Sequence, residues 1–356
     1  MSAYPPATPP GRRLLTRVAL GTVAAIGLFL IVLPLATSLP GKSDASGQMM
    51  AAFRPQMTDT ALALANDDQK VMAAMGTQLS TSMLPDLAAQ LHMTPAQLSS
   101  YLAANYPATA NGVAQLPAML QFFGGINATM WAQQANFQQA DQIPTSFLPP
   151  TSMTMLFVIP GALLLGIGLF GLARPARVRA VFAGATVVSL VMVVGLLSVS
   201  MYGKASAADQ MTTAFKPVFA AQSVQQAQSY TATAGAMATE FSTKLVPGLA
   251  QALHVTPAQL SQSMAASYPA VAAGATLLPQ IMQRMQSATN LIVTQAGNFD
   301  QSASIPWSPG SMVAMFWMMM APALLGLGIG AGALVLLGGR PALAHPVSRM
   351  RAAMHH

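Results

Sequence analysis

The sequence predicts an all-α integral membrane protein with four transmembrane helices in two parallel tandem repeats. Charged residues make up only 7% of its 356 residues, against 53% hydrophobic residues, whereas a soluble domain carries about 25% charged residues. Four uncharged apolar segments are long enough to cross a bilayer, which takes about 20 residues in a helix. One sequence pattern also occurs twice, 162 residues apart. Each repeat is predicted to be a span, a helical extracytoplasmic domain and a second span.

The four predicted spans are bounded by basic residues on at least one side. Within them no Lys, Arg, Asp or Glu interrupts the apolar run, so each is suited to the hydrocarbon core. The spans are 18–41, 153–173, 180–203 and 312–339.

The first span also resembles a secretory signal peptide. Arg12 and Arg13 precede its apolar run, and small residues follow at 36–38, as at a cleavage site. The apolar run is long for a signal peptide, however, and the repeat pairs it with the internal span 180–203. We therefore expect the first span to be retained, with cleavage as the alternative.

The charges next to the spans predict the orientation. The arm 1–17, which we expect to be disordered, the loop 174–179 and the tail 340–356 together hold nine arginines and no acidic residue. The long segments 42–152 and 204–311 hold all nine acidic residues and the other seven basic ones. Because Lys and Arg concentrate on the cytoplasmic side of membrane spans, both termini are expected in the cytoplasm and both long segments outside. The formal charge of +7 is thus a topology signal, and we expect no nucleic acid partner.

The composition further predicts a bacterial plasma membrane protein. Arginine is preferred over lysine and alanine is abundant. The chain has no cysteine, which excludes disulfides, thiolate zinc sites and a cysteine nucleophile.

The repeat is clearest around one octapeptide. Residues 91–98, LHMTPAQL, return as residues 253–260, LHVTPAQL. The same register holds from Gly41 to Pro160 without a net gap. Because each repeat contains two spans, both copies enter the membrane in the same direction. The repeats are therefore expected to be parallel, related by a pseudo-two-fold axis along the membrane normal.

The two extracytoplasmic segments are predicted to be helical. Thr94 and Gln97 have the spacing of a capping box with proline at the first helical position, and Pro107 ends the helix that begins there. His92 and, in the second copy, His254 stand just before this pattern. We expect both histidines to close the preceding helix.

The sequence lacks the patterns that are typical of enzymes. None of the nine acidic residues has an acidic counterpart 162 residues away, and no GxSxG, HExxH or Walker motif occurs. We therefore expect no catalytic residues, no cofactor and no enzymatic activity.

Glycines recur in spans two and four at spacings that let helix backbones approach closely in lipid. We expect them to hold the two repeats, or two protomers, together. They are Gly166, Gly168, Gly326, Gly328, Gly330 and Gly332.

Four cations occupy matching positions of the two repeats. Lys42 matches Lys204, and Arg54 matches Lys216. Long basic side chains near the ends of spans reach towards anionic lipid headgroups. We expect this contact for all four, with an anionic partner as the alternative.

Four methionines in the fourth span are weak candidates for metal binding. Thioether sulfur is a ligand for Cu(I), but methionine is also a flexible filler of apolar packing. Because neither cysteine nor a nearby histidine assists, we favour packing and expect no metal site. The residues are Met315, Met318, Met319 and Met320.

Three functions fit this sequence. We favour a non-enzymatic cell-envelope scaffold or accessory subunit, whose weakly charged outer domains leave apolar surface to bind a partner protein or a second copy. The alternative is a carrier or permease for a lipid or another hydrophobic molecule at the repeat interface, which an apolar tunnel would favour. Ion coupling is not expected, since the spans contain no ionisable residue. A third hypothesis is copper handling through the methionines of span four.

Overall fold

The computed structural model describes residues 10–143, 152–306 and 310–338. The described residues are 90% helical and contain no strand. The prediction of an all-α protein is confirmed. The predicted tail 340–356 and the first nine residues of the arm lie outside the described residues.

The α-helices, numbered in chain order, include four that belong to the predicted spans and ten others. They are α1 (Pro10–Ala36), α2 (Leu39–Phe53), α3 (Asp59–Gln78), α4 (Leu84–Gln90), α5 (Pro95–Asn105), α6 (Pro107–Ala140), α7 (Met153–Ala173), α8 (Val178–Ser198), α9 (Met201–Phe215), α10 (Ala221–Glu240), α11 (Val246–Ala252), α12 (Pro257–Ser267), α13 (Pro269–Ala303) and α14 (Met312–Gly338) among the described residues.

Many of these bounds recur 162 residues further along the chain. This holds at both ends for α2 and α9, α3 and α10, α4 and α11, and α5 and α12. It also holds for the single π-helical turns Leu79–Met83 and Phe241–Leu245. Two residues that are 162 positions apart are called counterparts below.

The chain folds into two compact units, each built from both halves of the sequence. The apolar unit comprises the described parts of 1–44, 142–206 and 304–356. The helical unit comprises 45–141 and 207–303.

Four helical segments of the apolar unit are long and apolar enough to cross a membrane. They are Arg13–Ala36, Met153–Ala173, Pro175–Ser198 and Met312–Leu337 among the described residues. In this unit α1 packs along α7 and α8 packs along α14, with further contacts between α7 and α8 and between α1 and α14. Large apolar side chains on the outer helix faces are exposed, such as Leu35 (61%) and Val191 (65%). Such faces suit a lipid environment and would be unfavourable in water.

The first and third spans end at matching interruptions of the helix. α1 ends at Ala36, and Ser38 has a φ of 53° before α2 begins. α8 ends at Ser198, and Ser200, two residues further on, has a φ of 52° before α9 begins. A positive φ is uncommon for a residue with a Cβ and is incompatible with a continuous α-helix. The predicted ends at 41 and 203 therefore lie within the next helices.

The helical unit contains a ring of four long helices. α3 contacts α6 and α13, and α10 contacts the same two helices. Two of these four contacts join different halves of the sequence. They are called the first seam, between α3 and α13, and the second seam, between α10 and α6.

The shorter helices of the helical unit follow the sequence signals closely. Thr94 and Gln97 form the predicted capping box at the start of α5, and α12 begins with the same box. His92 and His254 both have a φ of 54° at the end of the preceding helix, where the N–H of Met93 donates to the Ala88 carbonyl (2.8 Å). Leu and Met side chains from both halves form the buried core around these helices.

Candidate ligand site

The helical unit contains an apolar cavity of about 530 Å³ that is partly open to the surface. Its wall is built by α3, α6, α10 and α13 and consists mainly of Leu, Met, Ile and Phe side chains. Phe53 and Phe219 contribute rings that meet edge to face with centroids 5.8 Å apart. Cavities of about 300 to 1,000 Å³ with few polar groups are typical of small-molecule sites.

The cavity wall reaches the surface along the first seam. Leu64 on α3 is 43% exposed, and Gln283 and Ser287 on α13 are exposed as well. The Asp68 carboxylate accepts hydrogen bonds from Nε and Nη2 of Arg284, both at 2.6 Å. This ion pair therefore links α3 to α13 beside the exposed part of the wall.

The ion pair is the charged part of the cavity lining. Asp68 and Arg284 are the charged side chains among the described residues that line it, and their charges cancel. The hydrogen bond that Arg284 donates to Asp68 raises the pKa of the guanidinium above its ordinary value. The cavity consequently offers no net charge to a ligand.

The second seam has a different contact at the counterpart positions. Tyr230 takes the place of Asp68, and Phe122 takes the place of Arg284. Their rings meet edge to face with centroids 5.5 Å apart. Neither ring lines the cavity in the described structure, so the second seam is closed by an apolar contact.

One buried amide lines the cavity. Asn127 on α6 is 9% exposed, and its Oδ1 has no hydrogen-bond partner among the described residues. At the counterpart positions the hydroxyls of Thr231 and Thr289 are 2.8 Å apart and form a hydrogen bond. Gln69, the counterpart of Thr231, donates instead to the Leu120 carbonyl at 3.4 Å. Asn127 is thereby left with unused hydrogen-bonding capacity at the cavity wall.

In each seam a side chain at the end of one helix caps the N-terminus of the long helix beside it. Glu240, at the end of α10, accepts a hydrogen bond from the N–H of Thr109 in α6 (2.7 Å). Gln78, its counterpart at the end of α3, accepts from the N–H groups of Ala270 and Val271 in α13 (2.8 and 3.1 Å). Both acceptors satisfy N–H groups that have no partner within the helix. Glu240 is only 7% exposed, and the helix N-terminus favours its negative charge.

A second apolar cavity of about 350 Å³ lies towards α4 and α5. Met237 lines both cavities and packs on Gly112, where an added Cβ would lie 2.5 Å from its sulfur. Met75 packs on Gly274 with the same separation. The two counterpart methionines thus fill the space that two glycines leave between the halves.

Three of the glycines predicted for helix packing contact a neighbouring helix. A Cβ at Gly168 would lie 2.7 Å from the Ala24 nitrogen in α1. Gly326 and Gly330 in α14 lie against Ser189 and Thr186 in α8. These contacts join the two spans of the same half. A Cβ added at any of the remaining three would meet no described side chain or neighbouring helix within 4 Å; they are Gly166, Gly328 and Gly332.

A further close glycine contact of the apolar unit was not predicted. Gly27 in α1 faces Gly161 in α7, and a Cβ on Gly161 would lie 2.9 Å from the Gly27 carbonyl oxygen. Gly161 lies one heptad before Gly168, and this spacing is the signal in the sequence that points to it. The α1 and α7 backbones approach closely there, as small residues permit in lipid.

The two predicted lysines bind backbone carbonyls of the apolar unit. The Lys42 ammonium donates to the carbonyls of Ser304 (2.9 Å) and Pro306 (2.8 Å). The Lys204 ammonium donates to the carbonyl of Gln142 (3.0 Å), and its burial lowers the pKa of this group. Ser304 and Gln142 are counterparts, so each lysine binds the other half of the chain. Contact with lipid headgroups stays a prediction.

The other predicted cations lie on the surface of the helical unit. Arg54 forms a bidentate ion pair with Asp141, at 2.8 and 2.9 Å, and Lys216 is exposed. An exposed ion pair contributes at most about 1 kcal/mol to stability. Arg54 is therefore engaged within the chain, and Lys216 presents its charge to solvent.

The four candidate methionines lie in α14. Three of them are 2 to 4% exposed and pack inside the apolar unit: Met315, Met319 and Met320. Met318 is half-buried.

Sequence reasoning missed the residues that distinguish the cavity. Asp68 and Arg284 are 216 positions apart, so their spacing does not pair them. Asn127 is one of many polar residues in α6, so its position does not distinguish it. A departure from the repeat was the available signal, because Asp68 is replaced by Tyr230 and Arg284 by Phe122 at the counterpart positions.

The described features define a helical chain with four helices apolar enough to span a membrane and a neutral, largely apolar cavity. Comparison with known protein families, with curated proteins and with solved structures finds no match to this chain.

Proposed function

We propose that this chain is a non-enzymatic membrane protein that binds a hydrophobic molecule of lipid size in its helical unit and acts as a carrier for it. The 530 Å³ cavity carries this proposal. An apolar wall of this extent is favourable for an apolar ligand, at about 25 cal/mol per Å² of surface removed from water. No cofactor or metal ion takes part in this function.

The proposed topology explains how such a cavity would be used. We propose a bacterial plasma membrane protein of two parallel tandem repeats, with both termini in the cytoplasm and the long segments outside. The arginines beside the spans, the four apolar helices and the recurring helix bounds support it. A hydrophobic molecule outside the bilayer needs shielding from water, and a cavity in an extracytoplasmic domain supplies it.

A scaffold that binds a partner protein has less support. Among the described residues of the helical unit, the exposed large hydrophobic side chains are Leu64, Trp131 and Val255. Leu64 belongs to the cavity wall. The apolar surface expected for a partner face is therefore small, and we place this role second.

The proposal is tested by filling the cavity. Ala288 on α13 lines it and is half-buried, so Ala288→Phe should occupy part of the ligand volume. Ala273, on the same helix, is exposed and lies outside the wall, so Ala273→Phe is the matched control. We expect Ala288→Phe to weaken binding of an apolar fluorophore by about tenfold or more, since about 0.8 kcal/mol is lost for each displaced methylene.

The measurement uses the full chain in lipid nanodiscs, with lipid analysis of the same preparation. Ala273→Phe should bind like the wild type. Equal binding by both variants, together with no hydrophobic molecule beyond bulk lipid in the preparation, would contradict the proposal. Specific capture of one protein by the wild type and by both variants alike would favour the scaffold role instead.

A further inference from the structure

The cavity has one polar feature that its apolar wall does not explain. Asn127 is 9% exposed, and its Oδ1 has no partner among the described residues. Leaving such a group unpaired is unfavourable, at about 1 to 3 kcal/mol. The Thr231–Thr289 hydrogen bond shows that the fold can pair these positions. Asn127 is therefore placed where a ligand group could complete the hydrogen bond that no described residue makes to Oδ1.

Building on the proposed function, we infer that the cavity takes a single-chain lipid with a neutral hydroxyl headgroup, and that this hydroxyl bonds to the amide of Asn127. The volume of the cavity limits the lipid to a single acyl chain. A volume of about 530 Å³ falls within the range that encloses one small molecule, and a two-chain phospholipid exceeds it.

The charges of the wall select a neutral headgroup. Arg284 is already bound by both carboxylate oxygens of Asp68, so it has no free charge for an anionic ligand. A carboxylate or phosphate among the apolar side chains would be left without a counterion. Burial of an uncompensated charge is far less favourable than burial of a hydrogen-bonded neutral group.

The amide itself selects a hydroxyl. An asparagine side chain presents a carbonyl acceptor and an NH₂ donor, and a hydroxyl both donates and accepts. A pure hydrocarbon would fill the cavity but leave Oδ1 unpaired. A hydroxyl lipid should thus bind more tightly than a hydrocarbon of the same chain length.

The experiment ranks three ligands by displacement of an apolar fluorophore from the full chain in nanodiscs. They are monooleoylglycerol, oleate at pH 9 and 1-octadecene. We expect the wild type to bind monooleoylglycerol about tenfold more tightly than either of the others, which is the effect of satisfying one buried polar group.

Variants of Asn127 and Thr289 test whether Asn127 causes the preference for monooleoylglycerol. Asn127→Leu should bind 1-octadecene as the wild type does and lose the preference for monooleoylglycerol. If Asn127→Leu does not fold, Asn127→Val replaces it, because the counterpart position 289 already holds a β-branched residue. Thr289→Val is the control, since Thr289 is buried but does not line the cavity, and it should keep the wild-type ranking.

The outcomes separate this inference from the proposed function. Binding of 1-octadecene or oleate as tightly as monooleoylglycerol by the wild type would overturn the inference and leave the carrier proposal standing. An unchanged preference in Asn127→Leu or Asn127→Val would also overturn it. Failure of the wild type to bind the fluorophore or any of the three ligands would overturn both.

Discussion

The two seams of the helical unit occupy counterpart positions, yet different chemistry holds them. In the first seam Asp68 and Arg284 form an ion pair, and Gln78 caps α13 with a neutral amide. In the second seam Tyr230 and Phe122 make an apolar contact, and the buried carboxylate of Glu240 caps α6. Both seams share the contact of a methionine with a glycine at counterpart positions, so they differ in the side chains named here.

The difference coincides with the position of the cavity. Asp68 and Arg284 line it, whereas Tyr230 and Phe122 do not. Water can solvate both members of a separated ion pair, which therefore opens at little net free energy, whereas separated aromatic rings expose apolar surface to water. For the proposed ligand we therefore expect entry through the first seam, with the second seam holding the two halves together.

The largest expected effect comes from a variant that weakens the second seam. Glu240→Ala removes the acceptor of the Thr109 N–H and leaves a cavity, so it should lower the free energy of unfolding by about 2 to 4 kcal/mol. Gln78→Ala removes a neutral acceptor at the counterpart position and should have a smaller effect, of about 1 to 2 kcal/mol. Denaturant unfolding of both variants measures the difference. An equal or larger loss in Gln78→Ala would refute the distinction between the caps.

A second prediction concerns the contact between a methionine and a glycine that occurs once in each seam. Gly112→Ala places a Cβ against Met237, and Gly274→Ala places one against Met75. Each should lower stability by about 1 to 3 kcal/mol through overpacking. Because the two contacts have the same geometry, thermal unfolding should show similar losses. A loss confined to one variant would show that the seams differ in packing as well as in charge.

A third prediction concerns a variant that weakens the first seam. Asp68→Asn removes the ion pair with Arg284, whose partial exposure limits its contribution to about 1 kcal/mol. Release of an apolar fluorophore should become about fivefold faster, which corresponds to that free energy. Tyr230→Leu changes the seam away from the cavity and should leave the release rate unchanged. Stopped-flow dissociation measures both, and faster release in Tyr230→Leu alone would reverse the assignment of the entrance.

The smallest expected effect is that of salt. Raising the ionic strength from 0.1 to 1 M shortens the Debye length from about 10 to about 3 Å, which weakens the part-exposed Asp68–Arg284 pair. Release from the wild type should accelerate by about twofold, well below the effect of removing the pair. Asp68→Asn should show no such dependence. The same acceleration in this variant would assign the salt effect to other charges.

The sequence by itself predicted the features that depend on neighbouring residues. The capping boxes at Thr94 and Thr256 are present, and Pro107 follows the end of α5 as expected. The spans were recognisable because an uncharged run of about 20 residues has few alternatives to a membrane helix. These signals depend on local backbone geometry and on hydrophobicity, and both can be read along the chain.

Only the tertiary structure decided which distant side chains meet. Asp68 reaches Arg284 and Glu240 reaches Thr109 because helices of different halves lie side by side. The Oδ1 of Asn127 lines a cavity with no hydrogen-bond partner among the described residues because Gln69 binds the Leu120 carbonyl instead. Hydrophobic periodicity places a residue on the inner face of a helix but does not determine which residue it faces across the core. Packing of the four long helices fixes those pairs, and with them the cavity.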